Sequence, residues 1–273
     1  MTSRVLFRVD GLLTEAAGAR PVLGLDTSSA IATFAIVSDS KITASIERPA
    51  ASHGAALPGA VDEILRDAGI VMRDLGAIAV GVGPGSFTGL RIGLSYAKGI
   101  AMATGCSMAG VPSFDAIALA ALEHSNAPLG ASICAIADAR KGEAYFALYR
   151  VVGDGLEKVI EESVAPLERM ASQIGDGVLF AGDAMAMRAA GLQRSRGLNA
   201  AFTELGMLKL RGGCVAAIGA AQIPRAEGAR AAALEPMYVR TAEATFKPNV
   251  KQMAENKVEG VWSKERKSSF DSI

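Results

Sequence analysis

One pattern occurs twice, and it restricts the possible folds more than anything else in the chain. VLGLDTSSAIATFAIVSDSK and SICAIADARKGEAYFALYR both run strand, aspartate, turn, strand. Placing Asp26 on Asp138, an offset of 112 residues, also brings Phe34 onto Phe146, Ala35 onto Ala147 and Ile36 onto Leu148. Similarity at one fixed offset marks a duplicated unit. With 273 residues and 50% hydrophobic content, the chain can build two lobes, each with its own core. The expected lobes cover 21–125 and 126–240. An extension, 1–20, precedes them, and a polar tail of mixed charge, 241–273, is expected to be flexible.

β-rich runs predict strands at 22–26, 30–38 and 41–47, with Asp39-Ser40 turning between the last two. Leu57, Val61, Ile64, Leu65 and Ala68 are spaced for a helix over 55–68 that ends at Gly69, and Pro58 implies a late start or a kink. LGAIAVGVG, 75–83, has no polar face and reads as a buried strand. Then come a glycine-rich loop, a helix over 89–104, a short strand SMAGV, and a helix N-capped by Ser113. Beyond the second unit, strands are expected at 157–163 and 177–181. Helices are expected at 166–174, 184–190 and 213–222, and LEPMYVR closes the organised part.

The segment GVGPGSFTGLRIGLSYAKG, 81–99, raises the question of a phosphate cradle. It lacks the Lys-Ser/Thr of a P-loop, and its glycines do not follow the dinucleotide spacing. Two readings remain: N–H groups at the helix start hold an anion, or the glycines let two backbones come close. Gly89, Gly93, Ala97 and Ala101 form a smooth stripe down the helix, and Leu90, Leu94, Ile92, Tyr96, Ile100 and Met102 surround it. A helix apolar on nearly every side is buried on more than one. One side is its own sheet and the other is expected to be a partner, so Ala97→Glu should abolish pairing and leave the sheet core intact.

Twenty-eight basic and 28 acidic residues give zero net charge, unlike a domain that grips nucleic acid alone. Cys106, Cys134 and Cys214 are widely spaced, so neither a disulfide framework nor a cysteine zinc site is implied. No run reads as a membrane span or signal peptide, which points to a cytoplasmic chain. Only two histidines are present, His53 and His124, and Leu57 stands four residues after His53. A pair of imidazoles on one helix face is therefore absent, and no catalytic or metal-ligating residue is assigned.

Two lobes that each open with an aspartate-bearing hairpin resemble the arrangement of actin-like ATPases, so the expected fold is α/β, actin-like (ASKHA): two duplicated lobes, each with a mixed β-sheet and helices. There the two turns close on a nucleotide's phosphates and metal. The matching residues here are Asp26, Thr27, Ser28, Asp138 and Lys141, although aspartate and serine after a strand also make ordinary tight turns. FAGDAM offers one glycine where an adenosine turn has two, and Gly212-Gly213 follows a poorly patterned segment.

LGLDTSS, SHGAALPGAVDEIL, GVGPGSFTGLRIGLSYAKG, IADARKGEAYFALY and LEPMYVR together resemble the TsaB family, also called YeaZ, over about 22–240. The resemblance implies a non-catalytic subunit that pairs with TsaD, which carries the active site, and works with the ATPase TsaE. The process is formation of threonylcarbamoyladenosine at position 37 of tRNAs reading codons that start with adenine. It implies a partner bundle from the helices at 53–68 and 89–104, with Leu57, Val61, Ile64, Leu65, Leu90, Gly93, Leu94, Ala97 and Ala101 as interface residues. A homodimer is expected without TsaD, tRNA is met only through the complex, and no membrane is involved. No cofactor is assigned to the chain alone; ATP or ADP with Mg2+ at a partner interface stays open. The alternative is an actin-like ATPase or small-molecule kinase using Asp26 and Asp138.

Overall fold

The computed structural model describes residues 5–15, 20–49, 53–175, 177–182, 201–204, 210–223 and 233–239, all within the unit Met1–Val239. The helix expected at 184–190 and the tail 241–273 lie outside the described residues.

The first sheet begins with β2 (Val22–Asp26), β3 (Ile31–Ser38) and β4 (Lys41–Pro49), paired antiparallel in sequence. Asp39 and Ser40 both take positive φ, 49° and 58°, which gives the β3–β4 hairpin the primed turn that suits strand twist. β5 (Ala77–Gly83) and β6 (Ser107–Pro112) add parallel strands, for the order β4-β3-β2-β5-β6. Every residue of β5 is buried, in keeping with its unbroken apolar run.

The second sheet contains β7 (Ser132–Asp138), β8 (Glu143–Val152), β9 (Gly155–Pro166), β10 (Val178–Gly182) and β11 (Ala201–Glu204). Its run β9-β8-β7-β10-β11 repeats the first sheet strand for strand, with antiparallel and parallel neighbours in the same places. The repeat read from the sequence is therefore a repeat of topology. Its register needs one change. Phe34 pairs with Leu25, and Phe146 with Ile136, so the two hairpins superpose at an offset of 112 on their second strands but 111 on their first. Asp26 and Asp138 are one residue out of step. Because strand side chains alternate, the two carboxylates point to opposite faces of their sheets.

A sixth strand in the second sheet comes from the extension. β1 (Val5–Phe7) pairs antiparallel with β9. α1 (Val9–Glu15) follows and buries Val9, Leu12 and Leu13. Glu123 pins its start, accepting from the Val9 N–H at 3.1 Å and pairing with Arg8 at 3.4 Å.

The central core lies between the sheets, around α4 (Ser113–Ser125) and α6 (Arg211–Gln222). Both helices are buried on nearly every side, as their alanine-rich sequences require. α6 sits flush on the first sheet: a Cβ on Gly24 would lie 2.6 Å from the Ala216 nitrogen, and one on Gly212 would lie 3.0 Å from the Phe34 carbonyl carbon. The Gly212-Gly213 pair is thus a packing notch inside the helix. Ser113 is the first helical residue rather than the N-cap, a place taken by Pro112, and its hydroxyl instead accepts from the Gly83 N–H at 3.1 Å. On the outer face of the first sheet, α2 (His53–Asp67) and α3 (Phe87–Thr104) enclose a second core. α2 starts earlier than predicted and carries Pro58 within it. α5 (Leu167–Ile174) covers the outer face of the second sheet. No helix among the described residues is long and apolar enough to cross a membrane.

Candidate functional site

Asp26 ends β2 with no exposed surface. Its Oδ1 accepts from the Ser28 N–H at 2.7 Å, closing an Asx turn. The Thr27 hydroxyl is spent inside the molecule, donating to the Gly89 carbonyl at 2.8 Å. The glycine loop lies directly on this turn. Ser86 N–H donates to the Ser28 carbonyl at 2.7 Å, and Ser86 Oγ caps α3 by accepting from the Gly89 N–H at 3.2 Å. A Cβ on Gly81 would stand 2.6 Å from Asp26 Oδ2, one on Gly85 would strike the Ser28 carbonyl, one on Gly89 the Thr27 carbonyl, and one on Gly93 the Thr27 hydroxyl. Four glycines of one segment thus face three residues of one turn. Of the two sequence readings, close backbone approach accounts for the loop.

Arg211 reaches the same turn from the first residue of α6. It is fully buried, with Nη1 donating to Ser29 Oγ at 2.9 Å, Nε to Thr33 Oγ1 at 3.3 Å, and Nη2 to the Ile31 carbonyl. Burial lowers its pKa, while the charges of Asp26 and Glu47 resist that shift. Nothing in the sequence singled this residue out, because it stands 185 positions from Asp26 at the edge of a segment with no clear pattern.

The second turn shares only the local motif. Asp138 Oδ1 accepts from the Arg140 N–H at 2.8 Å, and its other oxygen lies 3.7 Å from Arg140 Nε. Arg140, Lys141 and Gly142 follow in left-handed backbone, φ 66°, 55° and 78°, and all three are exposed. Of the five nucleotide candidates, then, Asp26, Thr27 and Ser28 are buried under the glycine loop, Asp138 is half-buried facing the other side of its sheet, and Lys141 is at an exposed tip.

All nine expected interface residues, Leu57, Val61, Ile64, Leu65, Leu90, Gly93, Leu94, Ala97 and Ala101, are buried in the chain's own core. This corrects the direction in which the helices were read. The smooth stripe of α3 faces inward because the Thr27 turn and the first sheet need the space that its missing side chains leave. What α3 offers outward is Phe87, 51% exposed, and Met102, 83% exposed, with Arg91, Ser95 and Gly99 between them. The segment 233–239 runs beside this face. Its Met237 N–H donates to the Val82 carbonyl at 2.7 Å, and Leu234 and Met237 pack into the α2–α3 core. Tyr238 meets Phe87 at 5.5 Å between ring centroids.

A charged cluster joins α4 to the second sheet. Lys158 Nζ lies 2.7 Å from both Asp115 and Glu162, and Tyr149 donates its hydroxyl to Asp115 at 2.8 Å. Burial raises the Asp115 pKa against the opposing pull of Lys158. Burial works to lower the Lys158 pKa, but Asp115 and Glu162 outweigh it and raise it. Among the described residues no group of three or more His, Cys, Asp or Glu side chains is arranged to hold a metal ion.

Residues 43–260 match the family model described as TsaD: tRNA N6-adenosine threonylcarbamoyltransferase. The Escherichia coli (strain K12) tRNA threonylcarbamoyladenosine biosynthesis protein TsaB is 32% identical over 163 residues, 58% of this chain and 69% of that protein. Its Bacillus subtilis (strain 168) namesake is 27% identical over 230 residues, 83% of this chain and 96% of that one. Among solved structures, YeaZ from Pseudomonas aeruginosa superposes with a TM-score of 0.65 at 25% identity, covering 80% of this chain and 99% of its own. That likeness agrees with the duplicated five-strand topology and the helices between the sheets. The chain belongs to the TsaD family, in its TsaB/YeaZ group, and has the actin-like ATPase fold.

Proposed function

We propose that this chain takes part in forming threonylcarbamoyladenosine on tRNA as a non-catalytic subunit that pairs with TsaD and keeps it active. Its relatives carry the name of that biosynthesis. The modified position is 37 of tRNAs that read codons starting with adenine. TsaE joins the pair, tRNA is met through the complex, and the chain works in the cytoplasm. Without TsaD, two copies cover the same surface on each other.

The observation that carries the pairing is the outer face of α3, where Phe87 and Met102 stay exposed while Leu90, Leu94, Ala97, Ile100 and Ala101 of the same helix are buried. Large apolar side chains in that setting mark a surface that another protein covers. The competing reading, an ATPase or kinase using Asp26 and Asp138, has one point in its favour: Asp26 Oδ2 is buried and takes no hydrogen bond in the described structure. Against it, the groups a phosphate and hydrated Mg2+ need are committed elsewhere. The Thr27 hydroxyl is on Gly89, the Ser28 N–H is on Asp26 itself, and the Ser86 N–H is on Ser28. These commitments weigh against a magnesium nucleotide at this turn.

Light scattering on a gel-filtration column, with the chain alone and mixed with TsaD from the same genome, tests the reading. A one-to-one complex is the expected result. A chain that stays monomeric in both runs would sink it.

A further inference from the structure

Arg91 stands exposed on the outer face of α3, yet its side chain is held in place. Nε donates to the Tyr238 hydroxyl at 3.0 Å, and the guanidinium carbon lies 3.8 Å from the centre of the Phe87 ring and 5.9 Å from that of Tyr238. Tyr238 is fixed in turn by its neighbours in the chain, through the Met237–Val82 hydrogen bond and the seating of Leu234 over Gly110. Ordering a long cationic side chain is a main cost of using it in binding, and here contacts within the chain have already met it. The terminal Nη1 and Nη2 groups take no acceptor among the described residues, so the guanidinium presents a preset fork. Beside it, α3 and the segment 233–239 frame a groove of about 350 Å3, lined by the apolar Leu94, Leu234 and Pro236 and by the polar Ser95, Lys98 and Glu235.

We propose that this notch anchors a carboxylate side chain, an aspartate or glutamate, of the TsaD partner. Arg91 receives its two oxygens and the apolar lining receives its aliphatic stem, which makes the segment 233–239 part of the pairing surface. The inference rests on the pairing reading above. A planar fork suits a carboxylate, and an apolar lining suits the stem of an acidic residue. A phosphodiester strand suits the notch less well, because Glu235 would meet its repeated charges and the chain has no basic excess to hold it.

Calorimetric titration of the full chain with TsaD from the same genome tests this. Arg91→Ala should weaken pairing at least about tenfold with no change in melting temperature, since central arginines on organised surfaces are frequent hot spots. Tyr238→Phe, which removes only the hydroxyl that steadies Arg91, should give a smaller loss in the same direction. Arg91→Lys should not restore wild-type affinity, because it keeps the charge and loses the fork. Added salt should weaken the wild type more than Arg91→Ala. Equal affinity of Arg91→Ala and wild type would overturn the anchor and leave the pairing intact. A wild-type chain that does not bind TsaD at all would overturn both readings. Binding of tRNA to the isolated chain, lost in Arg91→Ala, would assign the fork to phosphate and overturn the protein partner.

Discussion

The two aspartate turns hold matching places in the two sheets and do different work. Each closes with the same hydrogen bond, from the N–H two residues on to the aspartate Oδ1. Around Asp26 everything is filled: glycines press against the turn from α3 and the loop before it, and Arg211 fills the space behind. Around Asp138 the chain is open, with Arg140 and Lys141 at an exposed tip in backbone that glycine would adopt more easily. The single-residue change of register between the hairpins completes the divergence, because it turns the carboxylates to opposite faces. A duplicated hairpin can thus keep its fold while one copy becomes a structural joint and the other a free surface. A nucleotide clamp would need both turns accessible and facing one another.

The largest effects should come from two inward-facing cations, the buried Arg211 and the partly buried Lys158. Arg211→Met should remove about 3 to 5 kcal/mol, since Asp26 and Glu47 lose the cation near them and Ser29, Thr33 and the Ile31 carbonyl lose a donor. Lys158→Met should cost a similar amount but with a different pH profile. Asp115, already held above the usual carboxylate range by burial, would rise further once Lys158 no longer opposes that burial. A carboxyl whose folded pKa lies above its unfolded one favours folding while protonated, and that stability is lost as pH rises through the window between the two values. The Lys158→Met deficit should therefore be widest near neutrality and shrink toward about pH 4. Urea unfolding across that range measures it; a deficit that ignores pH would assign the loss to packing alone.

Paired glycine substitutions sharpen the contrast between the turns. Gly89→Ala puts a methyl group into the Thr27 carbonyl, which belongs to backbone that cannot step aside, and should cost about 3 kcal/mol. Gly142→Ala meets open space and bears only the left-handed conformation of φ 78°, about 1 kcal/mol. Similar losses in thermal unfolding would mean that the first turn is no more tightly packed than the second.

Much of this was legible in the sequence, for reasons that also explain where legibility ended. Strands β2, β3 and β5 were readable because continuous apolar runs must be buried. The repeat was visible because Phe34 and Phe146 both fill outer-face cores. Spacing could not say which way α3's stripe faces, since small residues permit close approach by any neighbour. The neighbour turned out to be Thr27, 62 residues earlier. Ser113 carried a capping signal, but the nearby Gly83 N–H took its hydroxyl. β1 and α1 were too weakly patterned to read, because their order depends on the β9 edge and on Glu123. Arg211 and the clamp of Tyr238 on Arg91 were invisible for the same reason: the partners lie 182 and 147 residues apart, although the stack of Arg91 on Phe87 is a four-residue helix spacing.

The smallest expected effect is the one that decides between joint and clamp. If the Asp26 turn held a magnesium nucleotide, ligand at a hundred times its Kd would add about 2.7 kcal/mol to the folded state. For a chain of this size that raises the melting temperature by about 5 °C or more. The committed Thr27 hydroxyl and Ser28 N–H predict much less: with millimolar ADP or ATP and Mg2+, the isolated chain should shift by under about 1 °C. Asp26→Asn tells a true site from weak surface binding. Any shift that survives the substitution belongs elsewhere, with the exposed Arg140–Lys141 tip the first place to test by Lys141→Ala. A shift of several degrees that Asp26→Asn abolishes would reverse the reading of the first turn. The unbonded Asp26 Oδ2 would then be a ligand-holding atom, and the glycine loop would have to open to admit the ligand.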